Sequence, residues 1–412
     1  MRVRLALAAL ALLCGAPAFA QDDGGRWVAG WLSPPIAYEP QIQRALGRPF
    51  ADETVRQNVQ TAIAGDRMRI RFTNELANAP LRIGAATLMR LDAAGRPVPG
   101  SLVALRFGGE AGATIPAGAP YLSDPADWPV RAGERFAVSV WYPEEAAPPA
   151  HAQMVEIVGP GDQTGSAAPA ADERVRAPGI IAAVDVAGVQ ASHVLVTFGD
   201  SITEGAGATP DRGMDWPAQL SRMLADSGEQ GRCWTVANAG ISGNRLLHTG
   251  RGPNALSRFD RDVLAVAGAT HVVILEGIND IGKVRDPARL DQQVSAARII
   301  GAYRQLLTRA KAAGLKVIFG TLLPYEGAAY AYGEGEQRRQ TVNAWLRDNA
   351  ESFDGLIDFD TAMGEPDRPA ALRADLQTGD NLHPNDAGYT RMAQVALPIV
   401  LEQGCPAASP GN

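Results

Sequence analysis

Residues 197–205 read Thr-Phe-Gly-Asp-Ser-Ile-Thr-Glu-Gly and follow a short apolar run, His193-Val194-Leu195-Val196. A buried strand that ends abruptly here would deliver Ser201 at its tip. A serine hydroxyl is a weak nucleophile near neutral pH and needs a base to take its proton. Near the other end of the chain stands Asp380-Asn381-Leu382-His383-Pro384. The imidazole of His383 can take that proton. A carboxylate at Asp380, on a loop, can reach the ring nitrogen that faces away from the serine, fix its tautomer and stabilise the imidazolium. Five histidines compete for the role of base. His193 opens an apolar run and His271 precedes another, so both are expected to be structural. His151 lies in a proline-rich segment. His248 is the one serious rival to His383.

Two further segments carry polar groups beside expected strand ends. Gly240 lies in Asn238-Ala239-Gly240-Ile241-Ser242-Gly243-Asn244, and Gly277-Ile278-Asn279-Asp280 follows the run Val272–Leu275. With Gly199-Asp200-Ser201 and Asp380-x-x-His383, these segments resemble, in order, the four blocks of the GDSL/SGNH hydrolase family. Each motif alone is weak; four in order are not. The resemblance covers about residues 193–403, half the chain. It implies ester cleavage with Ser201 as nucleophile, His383 as base and Asp380 as its orienter. It also implies an oxyanion hole made of the backbone N–H groups of Ser201 and Gly240 and the side-chain amide of Asn279. A glycine at 240 would let substrate approach the backbone, and an asparagine at 279 is a donor that does not titrate. Asn244, Arg245 and His248 are candidate substrate contacts by their position after the second block. Asp200 and Asp280 are expected to hold loops. Glu204 and Glu276 would face the pocket or bind backbone amides. Against all this stands the reading of Ser201 as a helix cap and of Asn279-Asp280 as a turn; four blocks in register favour chemistry.

No cofactor or metal is expected. The chain has no His-Glu-x-x-His, no Cys-x-x-Cys, no calcium-loop run of carboxylates and no phosphate-binding glycine loop. The Gly-x-Ser-x-Gly elbow of another hydrolase fold is also missing.

These groups must be positioned by the elements around them. From about residue 193 onward, apolar runs at 194–198, 234–237, 272–275, 317–319 and 356–359 alternate with helical stretches near 215–227, 254–267, 288–313, 335–351 and 385–403. Continuous apolar strands between amphipathic helices predict a parallel sheet covered on both faces, and the family resemblance implies that it is a three-layer α/β/α, flavodoxin-like one. Ligands on such sheets bind beyond the carboxyl ends of the strands, where all four blocks fall. From about 54 to 142 the pattern is different. Met68, Ile70 and Phe72 alternate with Arg67, Arg69 and Arg71, and Phe136, Val138, Val140 and Tyr142 repeat the period of two. Turn signals at Ala94-Gly95, Pro99-Gly100, Gly108-Gly109 and Ala132-Gly133 separate short strands. An all-β, jelly-roll-like sandwich is predicted for residues 21–187, with a Pro/Ala/Gly-rich linker near 159–179, ahead of a catalytic domain over 188–412. Trp27, Trp31, Trp128 and Trp141 are expected mainly in core packing.

Arg2 and Arg4, an apolar run to Leu13 and Ala18-Phe19-Ala20 read as a secretory signal cleaved after Ala20. Lipidation at Cys14 is the weaker alternative, because Leu13 stands where a small residue is expected. A secreted or periplasmic location follows. Cleavage would move the net charge from −7 to about −9. Such acidity argues against nucleic acid or an anionic membrane as partner. No later stretch approaches ~18 uninterrupted apolar residues. Cys233 and Cys405 remain as candidates for one disulfide or for two isolated thiols. The sequence thus predicts a secreted serine esterase acting on short acyl or carbohydrate O-acetyl esters. Lipolytic or acyl-transferring relatives of that activity are the nearest alternatives, and a carbohydrate-binding protein with a vestigial catalytic half is the distant one.

Overall fold

The computed structural model describes residues 25–37, 48–166, 173–189, 191, 193–210, 212–282 and 291–405. The expected signal segment and Cys14 lie outside the described residues.

The second half of the chain is built on five parallel strands: β1 (His193–Gly199), β2 (Trp234–Gly240), β3 (Ala269–Leu275), β4 (Lys316–Gly320) and β5 (Gly355–Ile357). Their order is β2-β1-β3-β4-β5, a doubly wound sheet. The runs Val194–Phe198 and Val272–Ile274 are almost wholly buried. That is what a parallel strand covered on both faces requires. Helices Trp216–Asp226, Ala296–Ala312, Gly333–Asp348 and Asp386–Leu401 flank the sheet. Several start where a polar side chain satisfies an orphan backbone N–H: Asp215 accepts from Ala218, Ser295 from Arg298 and Asn385 from Gly388. The Ser295 cap starts the helix Ala296–Ala312 later than the expected stretch 288–313; residues 288–290 lie outside the described residues. Strand β5 likewise ends early, because Asp358 caps a short helix, Phe359–Met363. His271 lies inside β3 rather than ahead of it.

The antiparallel region precedes this sheet. One sheet runs Val28–Leu32, Ala183–Ala187, Gly65–Thr73 and Pro120–Leu122, with Ala126–Val130 also paired to Gly65–Thr73. The other runs Glu173–Pro178, Ala152–Pro160, Glu53–Gln60, Arg135–Tyr142, Ala85–Arg90 and Val103–Ala104. Met68, Ile70 and Phe72 are buried, as are Phe136, Val138 and Val140. Trp128 meets Phe136 edge-on at 5.5 Å, joining the two sheets. Arg69 lies over Trp27 at 4.5 Å and pairs with Asp185 at 3.1 Å. The strand Glu173–Pro178 corrects the expected linker at 159–179. It pairs with Ala152–Ile157 on the sheet's edge, so this stretch carries paired backbone.

One hydrophobic core runs through both regions. Ala29 donates to the carbonyl of Ala267 at 2.9 Å, beside β3. No helix among the described residues is long and apolar enough to cross a membrane. Cys233, just before β2, is bridged to Cys405, just after the last helix, with Cα atoms 5.9 Å apart.

That bridge closes a segment of 172 residues. Cys405→Ser should lower the unfolding free energy by about 2–4 kcal/mol, chiefly through a freer unfolded chain. Urea denaturation of oxidised protein checks this. An unchanged midpoint would show that the last helix is held without it.

Candidate active site

Strand β1 ends at Gly199, where no larger residue fits. A Cβ there would lie 2.3 Å from Oγ1 of Thr203 and 2.4 Å from the carbonyl of Leu275. The chain then turns into a four-residue helix, α1 (Ser201–Glu204), capped by Asp200, whose Oδ1 accepts from the N–H of Ile202 at 3.0 Å. Ser201 is the first residue of α1, so its own N–H has no intrahelical acceptor. The Ser201 hydroxyl lies 2.9 Å from Nε2 of His383. Nδ1 of His383 donates to Oδ2 of Asp380 at 2.6 Å. The three groups are thus in hydrogen-bonding contact, although Ser201 and His383 are 182 residues apart.

The loop that carries the base is itself braced. Oδ1 of Asp380 accepts from the N–H groups of Leu382 at 2.9 Å and His383 at 2.8 Å. Asn381 takes a left-handed backbone, φ 59°, which asparagine tolerates better than most residues. Its side chain bonds Gln377 and the carbonyl of Gly327. Partial burial pushes the Asp380 carboxyl up. The backbone N–H and ring of His383 and the N–H of Leu382 outweigh it and bring the carboxyl down from 3.8 to about 2.

Asn279 is buried at the end of the β3 turn. Its amide nitrogen donates to Oδ2 of Asp200 at 3.3 Å, and the Tyr330 hydroxyl donates to its oxygen at 3.5 Å. The network therefore fixes which way the amide points and uses one of its two N–H bonds. Gly240 departs from expectation. Its N–H donates to Oδ1 of Asn238 at 2.9 Å. A Cβ at 240 would fall 2.2 Å from the backbone nitrogen of Glu204. The missing side chain makes room for α1, not for substrate.

The candidate substrate contacts are also corrected in part. Asn244 is buried, and its amide donates to the carbonyls of Arg251 at 3.0 Å and Pro253 at 2.8 Å. Arg245 is buried and donates to Gln292 at 2.8 Å and to the carbonyl of Thr249. Both are braces of the loop after β2. His248 is half-buried and its Nε2 has no hydrogen-bond partner among the described residues. Burial, then the nearby Arg245 and Arg298, push its pKa down. Nothing ties it to Ser201, whose hydroxyl faces His383. His193 bonds the carbonyl of Gly404 at 3.0 Å, and burial together with His193 and Lys316 brings buried His271 down to about 3. His151 is buried, with Nε2 3.4 Å from Glu204.

Sequence reasoning passed over Arg258. It sits on the helical turn Ala255–Phe259, its guanidinium wholly buried. It donates to the carbonyl of Gly199 at 2.8 Å, the carbonyl of Ala239 at 2.8 Å, Oδ1 of Asn244 at 2.9 Å and Oδ2 of Asp262 at 3.2 Å. It also lies over the ring of Phe198 at 4.0 Å. Glu276, at the end of β3, is 3.8 Å away and completely buried. Burial, then the Asp200 carboxylate, push the Glu276 carboxyl well above its usual range, against the pull of Arg258. Asp280 accepts from the N–H groups of Leu246 at 2.7 Å and Leu247 at 3.1 Å, and burial raises it to about 6. The available signal was an Arg258/Asp262 pair, four apart, on the same stripe as Phe259 and Val263.

Among the described residues, no group of three or more His, Cys, Asp or Glu side chains is arranged to hold a metal ion. A serine, histidine and aspartate in line at the carboxyl edge of a 2-1-3-4-5 sheet, behind the four blocks, define a GDSL/SGNH-type hydrolase. Residues 197–391 match the GDSL-like lipase/acylhydrolase family, and this domain is of that family. Solved structures to which the chain is similar include a GDSL-like lipase from Bacteroides thetaiotaomicron (22% identity, 52% of this chain and 89% of that one, TM-score 0.40). The lipase/acylhydrolase from Enterococcus faecalis is another (22%, 53% and 100%, 0.39). A third is an acetyl xylan esterase variant from Geobacillus stearothermophilus (22%, 51% and 95%, 0.40). No curated protein matches the chain.

Two predictions follow from the charges. Arg258→Met should cost about 2–4 kcal/mol, since it removes a buried charged donor from the carbonyls at two strand ends and from Oδ1 of Asn244, while Asp262 keeps Arg261 as a partner. Arg258→Lys should restore little, because an ammonium cannot reproduce the planar fork. Urea denaturation decides, and a cost below about 1 kcal/mol contradicts the role. For Asp380, a depressed carboxyl contributes stability that is present above its ordinary pKa of 3.8 and is lost as pH falls toward 2. Asp380→Asn should therefore differ from wild type in urea midpoint most at pH 5 and progressively less toward pH 2.5. A difference that stays constant over that range would contradict the assignment.

Proposed function

We propose that this protein is an exported serine esterase that hydrolyses acyl esters, short-chain or carbohydrate O-acetyl, through a Ser201–His383–Asp380 triad. The observation that carries the reading is the unbroken line from the Ser201 hydroxyl through both ring nitrogens of His383 to the Asp380 carboxylate, at 2.9 and 2.6 Å. In this reading Ser201 gives its proton to Nε2 of His383 as Oγ attacks the ester carbonyl carbon. The tetrahedral oxyanion takes hydrogen bonds from the Ser201 N–H and the second N–H of the Asn279 amide. The alcohol leaves with the proton from His383, and the acyl group stays on Ser201. Water, deprotonated by His383, then attacks the acyl-enzyme; the carboxylic acid departs and Ser201 recovers its proton. Ionised Asp380 balances the imidazolium in both halves. Gly240, the third expected donor, joins only if its N–H lets go of Asn238.

Export is supported by the sequence of residues 1–20 and by the Cys233–Cys405 bridge, which suits an oxidising compartment. The preference for carbohydrate-linked esters rests on the β-rich region that accompanies the hydrolase domain.

Ser201→Ala decides between an esterase and a binding protein with a dormant site. With p-nitrophenyl acetate, kcat should fall by on the order of 10⁴–10⁶ while the melting temperature holds. Equal turnover in both proteins would sink the catalytic reading.

A further inference from the structure

One link joins the antiparallel region to the reacting end of the parallel sheet. His151 precedes the strand Ala152–Pro160 and is 4% exposed. Its Nε2 lies 3.4 Å from Oε2 of Glu204. Arg176, on the edge strand Glu173–Pro178, places a guanidinium nitrogen 3.5 Å from the other oxygen, Oε1. Glu204 is the last residue of α1, the helix that opens with Ser201. Its Oε2 also accepts the backbone N–H of Ser242, and its backbone is the surface on which Gly240 packs. The same residue therefore touches the helix that carries the serine and the segment that follows β2.

A carboxylate gripped by three donors has little freedom to turn. Burial alone would raise the Glu204 carboxyl; His151 and Ser242 outweigh it and bring it down to about 2. Beside it lies a cavity of about 800 Å³, lined by His151, Arg176, Glu204, the 205–209 turn and Ser242. Without its partners the carboxylate has room to swing into that space and exchange protein donors for water. The ion pair is therefore not needed to fill a void. What it supplies is a fixed direction for Glu204.

We propose that His151 and Arg176 are positioning residues for ester cleavage. They clamp Glu204, and through it they hold α1 and the Ser242 amide in the register the reaction needs. The β-rich region is then a working part of the catalytic apparatus rather than an appendage. This rests on Ser201 as the nucleophile.

The test uses the full chain and p-nitrophenyl acetate, with Ser201→Ala as reference. His151→Ala should lower kcat by about 10–100-fold, the scale of a misplaced reacting group. KM should stay within about twofold, since the loss falls on the transition state rather than on binding. His151→Gln keeps a nitrogen donor at similar reach and should recover most of the rate. Arg176→Ala, at an exposed residue, should show a smaller loss of the same kind. Glu204→Gln combined with His151→Ala should be no slower than the slower single variant, because the two act as a unit. Wild-type kcat in His151→Ala overturns the proposal. So does a His151→Gln variant as slow as His151→Ala at equal melting temperature, which would make the ring's packing the relevant property. If His151→Ala does not fold, wild-type kcat in both Arg176→Ala and Glu204→Gln overturns it instead. Turnover surviving in Ser201→Ala would remove the nucleophile reading beneath it. Turnover lost there but intact in the clamp variants removes the clamp alone.

Discussion

The buried guanidinium of Arg258 is the constraint on which the site's geometry depends. Three adjacent parallel strands, β2, β1 and β3, end around it. Two of those ends present carbonyls, Ala239 and Gly199, and the guanidinium donates to both, the Gly199 oxygen also accepting from the N–H of Ile241. The residue after each carbonyl begins a segment of the site: Asp200 and Ser201 on one side, Gly240 on the other. A planar fork with five donors can hold several acceptors at fixed angles, which a lysine cannot. Its charge is offset by Asp262, while Glu276 is kept toward its neutral form by burial. Removing the guanidinium is costly, because one buried group then no longer ties the two strand ends to Asn244 and Asp262.

Rigidity at the strand ends is then passed outward in layers. Asp200 caps α1 and also restrains Asn279. Asp280 holds the backbone of Leu246 and Leu247, which places the loop after β2 against the turn after β3. Asn244 and Arg245 brace that loop from within. On the far side, Asp380 and Asn381 fix the turn that carries His383. The reacting groups sit on short loops, and the second ring of hydrogen bonds does what secondary structure does elsewhere.

The parallel sheet was readable because strands covered on both faces leave continuous apolar runs, as at Val194–Phe198 and Val272–Leu275. Their spatial order was not, since nothing in the chain states which strand lies beside which. The groups at 201, 380 and 383 were readable as chemistry because few residue types serve as nucleophile and base. Gly240 shows the limit of that reasoning: glycine signals close approach, but not of what. Asn244 and Arg245 looked like substrate contacts because they follow the second block, and here their polar groups meet acceptors inside a loop. The strand Glu173–Pro178 was hidden because an edge strand with two buried apolar residues and a terminal proline resembles a linker. His151 was set aside and Arg258 passed over because Glu204, Gly199 and Ala239, the partners that matter, are distant in the chain and invisible to local pattern.

The first described strand, Val28–Leu32, pairs with Ala183–Ala187, with Val28 opposite Val186. Its partner is thus made only after the whole antiparallel region has emerged from the ribosome. Until then that strand has an unsatisfied edge, and such long-range pairing is slow to form. The parallel sheet starts at residue 193, soon after the closing strand, and the neighbours of its first strand, β2 and β3, come later still in the chain. Vectorial emergence therefore favours assembly in one order, with the sandwich sealed before the catalytic half begins to fold.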